Sequence, residues 1–164
     1  MSRTLEFGTL TVQDAFDVAI LIEHAAEERY QEFAGLVGGR DAADVFLRMA
    51  LQESRHASKL RDRRVSLFAD APVRLDRSMA WEVEAPEYAK SRALTSAREA
   101  TEAALESEKR MCEFFDAALP LIQNQDVKDL FTELRDEERD HKEALVERMM
   151  GMPEPPQGDE PPAR

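Results

Sequence analysis

Six residues carry the chemistry open to this chain. Glu53-x-x-His56 lies in the segment QESRH, and Glu138-x-x-His141 lies in EERDH. Glu23 stands 30 residues before Glu53, and Glu108 stands 30 residues before Glu138. Residues three apart on a helix share a face, so each Glu-His pair can reach one ion. Carboxylates bridge hard divalent ions, and imidazole adds a borderline nitrogen donor suited to iron or manganese. Four carboxylates together balance the charge of two divalent cations. Buried without metal, they would cost several kcal/mol or take up protons.

The two half-sites are offset by 85 residues at every member. The same offset relates Tyr30 to Phe115, Asp44 to Asp129, Phe46 to Phe131 and Leu60 to Leu145. This is one helical hairpin written twice. There are 21 glutamates among 164 residues, so chance places Glu at both required offsets from both histidines about 3 times in 10,000. A lone Glu-x-x-His on an exposed helix would be a solvated pair. The doubled set is a dinuclear site.

The elements that must position these residues follow from periodicity. Val12, Phe16, Ile20, Ala26, Tyr30, Phe33 and Val37 recur at helical steps, with Thr11 or Asp14 near the start and Gly38-Gly39 as the stop. Asp41 can cap a second helix through Val45, Phe46, Met49, Leu60 and Leu67, which Pro72 ends. The stretch 72–86 has no clean period and reads as a crossover anchored by Trp81. A third helix fills roughly 87–119, and Pro120 ends or kinks it. A fourth runs from Asp126 to Met150 through Leu130, Phe131, Leu134 and Leu145. In each helix the apolar stripe is interrupted where Glu23, Glu53 with His56, Glu108, or Glu138 with His141 stands. The expected fold is all-α: a four-helix bundle over 1–150, made of two hairpins joined by a long crossover. The Pro-rich tail 151–164 is expected to be disordered.

Composition removes several function classes. A net charge of −12 repels phosphate backbones and anionic lipid, so neither nucleic acid nor membrane is an expected partner. No apolar run reaches the length of about 18 residues that would span a bilayer. The start, MSRTLEFGTL, lacks the apolar core of a signal peptide, so a cytoplasmic location is expected. Cys112 is the one cysteine, which excludes an internal disulfide or a four-cysteine site.

These residues resemble the ferritin-like superfamily over about residues 12–150, and within it the rubrerythrin branch. EHAAEERYQEFA at 23–34 is similar to that branch's first helix, where a ligand Glu precedes a Tyr by seven residues; ESRHASKL at 53–60 is similar to its second. The resemblance implies two iron ions, with manganese or zinc as substitutes. Glu53 and Glu138 would bridge, Glu23 and Glu108 would be terminal ligands, and His56 and His141 would each bind one ion. It also implies a non-haem di-iron oxidoreductase that oxidises Fe(II) with O2 or reduces H2O2, in a homo-oligomer, dimer or larger. Peroxide-specialised rubrerythrins carry an extra Glu one turn along the third helix; here Met111 and Cys112 stand there, which argues against a dedicated peroxidase. The chain has no Cys-x-x-Cys for a fused rubredoxin module, so electrons would come from a separate donor or from Fe(II) itself. The alternatives are an iron storage or carrier protein with a ferroxidase-like site, and a structural metal-binding module without turnover.

Lesser candidates surround the six. Tyr30 would hydrogen-bond a ligand or quench an oxidant, or else only pack the core. Gln52 and Glu137 each precede a bridging Glu: either they orient the imidazole of the opposite hairpin or they sit on the surface. His24 points about 100° away from Glu23 and is expected off the site. Cys112 reads as a small buried apolar residue, and Met149, Met150 and Met152 as an apolar helix end or oligomer contact.

Overall fold

The computed structural model describes residues 11–73 and 96–153. They form four helices: α1 (Val12–Leu36), α2 (Arg40–Phe68), α3 (Ala97–Ala118) and α4 (Gln125–Met150), with a 3-10 turn at Leu119–Leu121 before α4. α1 packs along α2 and α3 along α4, giving two hairpins, and α1 meets α3 across the bundle. The all-α four-helix bundle is as expected, with no strand among the described residues. The expected crossover beyond Val73, its anchor Trp81, residues 87–95 and the tail beyond Pro153 lie outside the described residues. The third helix begins at Ala97 rather than near 87, because Ser96 is extended and caps it. Among the described residues no helix is long and apolar enough to cross a membrane.

Local chemistry sets the helix ends. Thr11 and Asp14 form a reciprocal capping box at α1, and Ser96 and Glu99 form one at α3. Asn124 caps α4 through Val127 N. α2 departs from expectation at both ends. Its N-cap is Gly39 rather than Asp41, because the chain leaves α1 through a positive φ of 98° that glycine adopts without strain. It stops at Phe68, short of Pro72, where Ala69 takes a φ of 49°.

Two aromatic layers bracket the middle of the bundle. In one, Phe131 meets Phe16 and Phe115 edge-on, with ring centroids 5.4 and 5.5 Å apart. In the other, Phe46 stacks on Tyr30 and meets Phe33 edge-on. Phe131 thus ties α4 to helices of both hairpins and is fully buried. Phe131→Ala is expected to cost about 3–5 kcal/mol in urea unfolding of the metal-free chain. A loss under about 1 kcal/mol would show that this layer does not join the hairpins.

Candidate metal centre

Between the aromatic layers lies a layer of charge. Glu23 comes from α1, Glu53 and His56 from α2, Glu108 from α3, and Glu138 and His141 from α4. All four carboxylates are fully buried, and both histidines are buried. The residues expected from the sequence are therefore brought together, all six. They fall into two groups: Glu23, Glu53, His56 and Glu138; and Glu53, Glu108, Glu138 and His141. Within each group one atom per residue lies within 4.8 Å of all the others. Glu53 and Glu138 belong to both groups, the position a bridging carboxylate must hold. The imidazoles face each other nearly parallel, 12° apart in plane with centroids 5.7 Å apart.

Most polar atoms at the centre lack aligned partners, although His141 Nδ1 and Glu138 Oε2 bond at 3.1 Å. His56 Nδ1 lies 3.0 Å from Glu138, 3.1 Å from Glu53 and 3.4 Å from Glu23, yet makes no well-oriented hydrogen bond. Both oxygens of Glu23 and of Glu53, Oε2 of Glu108 and Oε1 of Glu138 are likewise buried without a hydrogen bond. Native interiors rarely leave such atoms unmatched, so a cluster of them calls for a bound ion. The donor set, carboxylate oxygens with two imidazole nitrogens, fits a pair of iron or manganese ions.

The electrostatics agree. Burial, then the nearby Glu138 carboxylate, pushes Glu23 and Glu108 well above the ordinary carboxylate range. Burial acts the same way on Glu53, but His141 and His56 outweigh it and hold Glu53 down at about 2. For the histidines burial works against charge, and the surrounding carboxylates overcome it: Glu138, Glu23 and Glu53 around His56, and Glu108, Glu138 and Glu53 around His141. Both imidazoles are held far above their usual range. Without metal the cluster neutralises itself with protons, the substitutes for missing cations.

Partners outside the six fix their orientation. Tyr30 donates its hydroxyl to Glu108 Oε1, leaving Oε2 turned to the centre. Burial and the Glu108 charge raise the Tyr30 phenol well above its ordinary value, so it keeps its proton. His56 Nε2 bonds Glu137, which also receives Lys59 at 3.1 Å. Glu137 therefore orients the opposite hairpin's imidazole. Gln52 does not: it shares a cleft with His141, but no hydrogen bond joins them among the described residues. His24 is off the site, 3.5 Å from Glu27 on its own helix.

Sequence reasoning missed two buried ties. Arg29 donates to Ser107, one residue before the Tyr30–Glu108 bond on both helices, so α1 and α3 are laced twice. Arg64 pairs with Asp17 between α1 and α2 and donates to Ala71 O at 2.9 Å. The signal was a charge set among apolar neighbours, as at Asp17 between Phe16 and Val18. Cys112 is buried, as expected, and burial pushes its thiol up to about 11.

Glu137→Ala is expected to weaken metal binding about 10- to 100-fold, because it frees the ring that His56 must hold in place. Competition with a colourimetric chelator measures this. Unchanged affinity would assign Glu137 to the surface ion pair with Lys59 alone.

The Rubrerythrin family model matches residues 14–149. An uncharacterized conserved protein of Magnetospirillum magnetotacticum MS-1 superposes with a TM-score of 0.74 at 27% identity, over 89% of this chain and 98% of its own. A hypothetical protein of Pyrococcus furiosus gives 0.69 at 16% identity, over 88% and 92%, and supports the fold alone. No curated protein matches the chain. With its family model spanning all four helices, and the doubled Glu-x-x-His set at the centre, this chain belongs to the rubrerythrin family and has the ferritin-like fold.

Proposed function

We propose that this chain is a non-haem di-iron oxidoreductase that oxidises Fe(II) with O2 or H2O2 and so removes both iron and peroxide. The observation that carries the reading is the set of buried, unmatched carboxylate and imidazole atoms that converge in two groups sharing Glu53 and Glu138. Glu23, Glu53, His56 and Glu138 would hold one ion, and Glu53, Glu108, Glu138 and His141 the other. A pair of ferrous ions held by these residues would supply two electrons, the number that takes one H2O2 and two protons to two waters.

The chain's own residues contribute order and protection. Glu137 fixes the His56 ring, and Tyr30 fixes Glu108. The protonated Tyr30 phenol, directly on Glu108, is placed to quench a strong oxidant before it reaches the core. The aromatic layers pack above and below the ligand set. Manganese or zinc would occupy the same donors. Electrons would come from Fe(II) or from a separate donor protein, and the chain would act as a homo-oligomer in the cytoplasm.

Rapid-mixing absorbance of Fe(II)-loaded protein against separate pulses of O2 and H2O2 tests this reading. The expected result is oxidation of two Fe(II) per H2O2, with a ferric charge-transfer band. The faster oxidant names the activity. No oxidant-dependent change would overturn the enzyme reading and leave a carrier or structural metal site.

A further inference from the structure

The two halves of the centre are not equivalent at their outer edges. On the His56 side the ring's Nε2 is closed off by Glu137, with Lys59 bridging Glu137 and Glu133 at 3.1 and 2.9 Å. The 85-residue repeat predicts the same arrangement around His141. It breaks there: Gln52 stands in the place of Glu137, Arg48 in that of Glu133, and Ala144 in that of Lys59. Two carboxylates have been exchanged for an amide and a guanidinium.

The structure shows the consequence. Beside His141 is a cleft of about 420 Å³, lined by Arg48, Gln52, Asp140 and Arg148 over an apolar floor that includes Met49 and Leu145. Arg148 repeats Arg63 of the other half, but Arg63 is paired with Asp126 at 2.9 Å, whereas Arg148 Nε is buried without a hydrogen-bond partner. Among the described residues neither Arg48 nor Arg148 has an ion-pair partner, and His141 Nε2 has no hydrogen-bond partner. Two guanidinium groups outweigh the one carboxylate of the lining, in a chain whose net charge is −12. A cationic pocket in so acidic a protein is the local exception that selects an anion. The planar guanidinium fork matches carboxylate and phosphate oxygens.

We propose that this cleft binds a small carboxylate- or phosphate-bearing anion, which supplies to His141 the outer hydrogen-bond acceptor that Glu137 supplies to His56. Arg48 and Arg148 hold its charge, and Gln52 offers an amide donor. The bound anion thereby orients His141 and sits at the open edge of the second group of ligands.

The test is a calorimetric titration of the full-length chain, without added metal, with inorganic phosphate and separately with acetate. Ionic strength is held constant with sodium chloride, and the His141 ring signals are followed by NMR. At least one probe is expected to bind saturably and to shift the His141 resonances but not those of His24. Arg48→Gln and Arg148→Gln are each expected to weaken binding about tenfold. Gln52→Glu restores the internal carboxylate and is expected to abolish binding while the helical signal is retained. Saturation by phosphate alone or acetate alone identifies the source of the anion. The proposal is overturned if neither probe saturates, or if affinity is unchanged in all three variants. Because no metal is present, this failure is distinct from a failure of the di-iron reading.

Discussion

A chain carrying Glu53→Gln and Glu138→Gln together is expected to bind neither divalent ion. Each of these residues contributes to both four-residue groups, so their loss removes two of the three carboxylates from each subsite at once. The amide keeps the shape but not the charge, and neutral oxygens are weak partners for hard cations. Outer-shell changes already cost 10- to 100-fold, so losing two direct ligands should exceed a factor of about 100 at each subsite. Glu23→Gln or Glu108→Gln alone touches one group and should leave about one ion bound. Equilibrium dialysis with elemental analysis measures the stoichiometry, and circular dichroism confirms that the bundle persists. Retention of two ions by the double variant would show that Glu53 and Glu138 do not bridge.

Bound metal should also stabilise the fold measurably. A ligand at 100 times its dissociation constant adds about 2.7 kcal/mol per site, which in a domain of this size raises the melting temperature by roughly 5–10 °C. Redox-inert Mn(II) or Zn(II) reports this without turnover. The gain should grow from pH 6 to pH 8, and the sign follows from the histidines. In the metal-free chain His56 and His141 are held above their usual range by the carboxylates. Their contribution to metal-free stability is full below the ordinary histidine value of about 6.5 and is lost as pH rises through the raised folded value. The ions instead require the neutral rings, so protons compete with metal and the competition eases as pH rises. Glu53, held down at about 2, contributes above its unfolded value and loses that contribution only in strong acid, outside this window. Thermal melts at the two pH values, with and without Mn(II), check the prediction. A metal shift that shrinks toward pH 8 would contradict it.

Much of this centre was legible in the sequence because a repeat constrains it twice. Glu23 with Glu53 and Glu108 with Glu138 share one spacing, and each interrupts an apolar stripe. A charged residue on a core face needs a partner, and six on four such faces need a common one. The assignment of partners across helices was less accessible. Spacing puts Tyr30 on the face of Glu23, but its bond goes to Glu108 of the other hairpin, which only packing decides. Arg29 with Ser107 and Arg64 with Asp17 are hidden for the same reason. The repeat alone does not separate Gln52 from Glu137. Equivalent positions do not carry equivalent roles once Arg48 and Gln52 replace the carboxylates that flank the other imidazole. The ends of α2 depended on backbone angles at Gly39 and Ala69, for which neighbouring Asp41 and Pro72 were plausible but wrong substitutes.

An anaerobic titration of the metal-free chain with Fe(II), read by calorimetry and by iron analysis of the separated protein, tests the dinuclear site most directly. Saturation at two ions per chain is expected, with proton release as the imidazoles lose their charge. Saturation at one ion, or weak uptake without a stoichiometric end point, would contradict a paired site and leave the buried carboxylates of this bundle without their counter-ions.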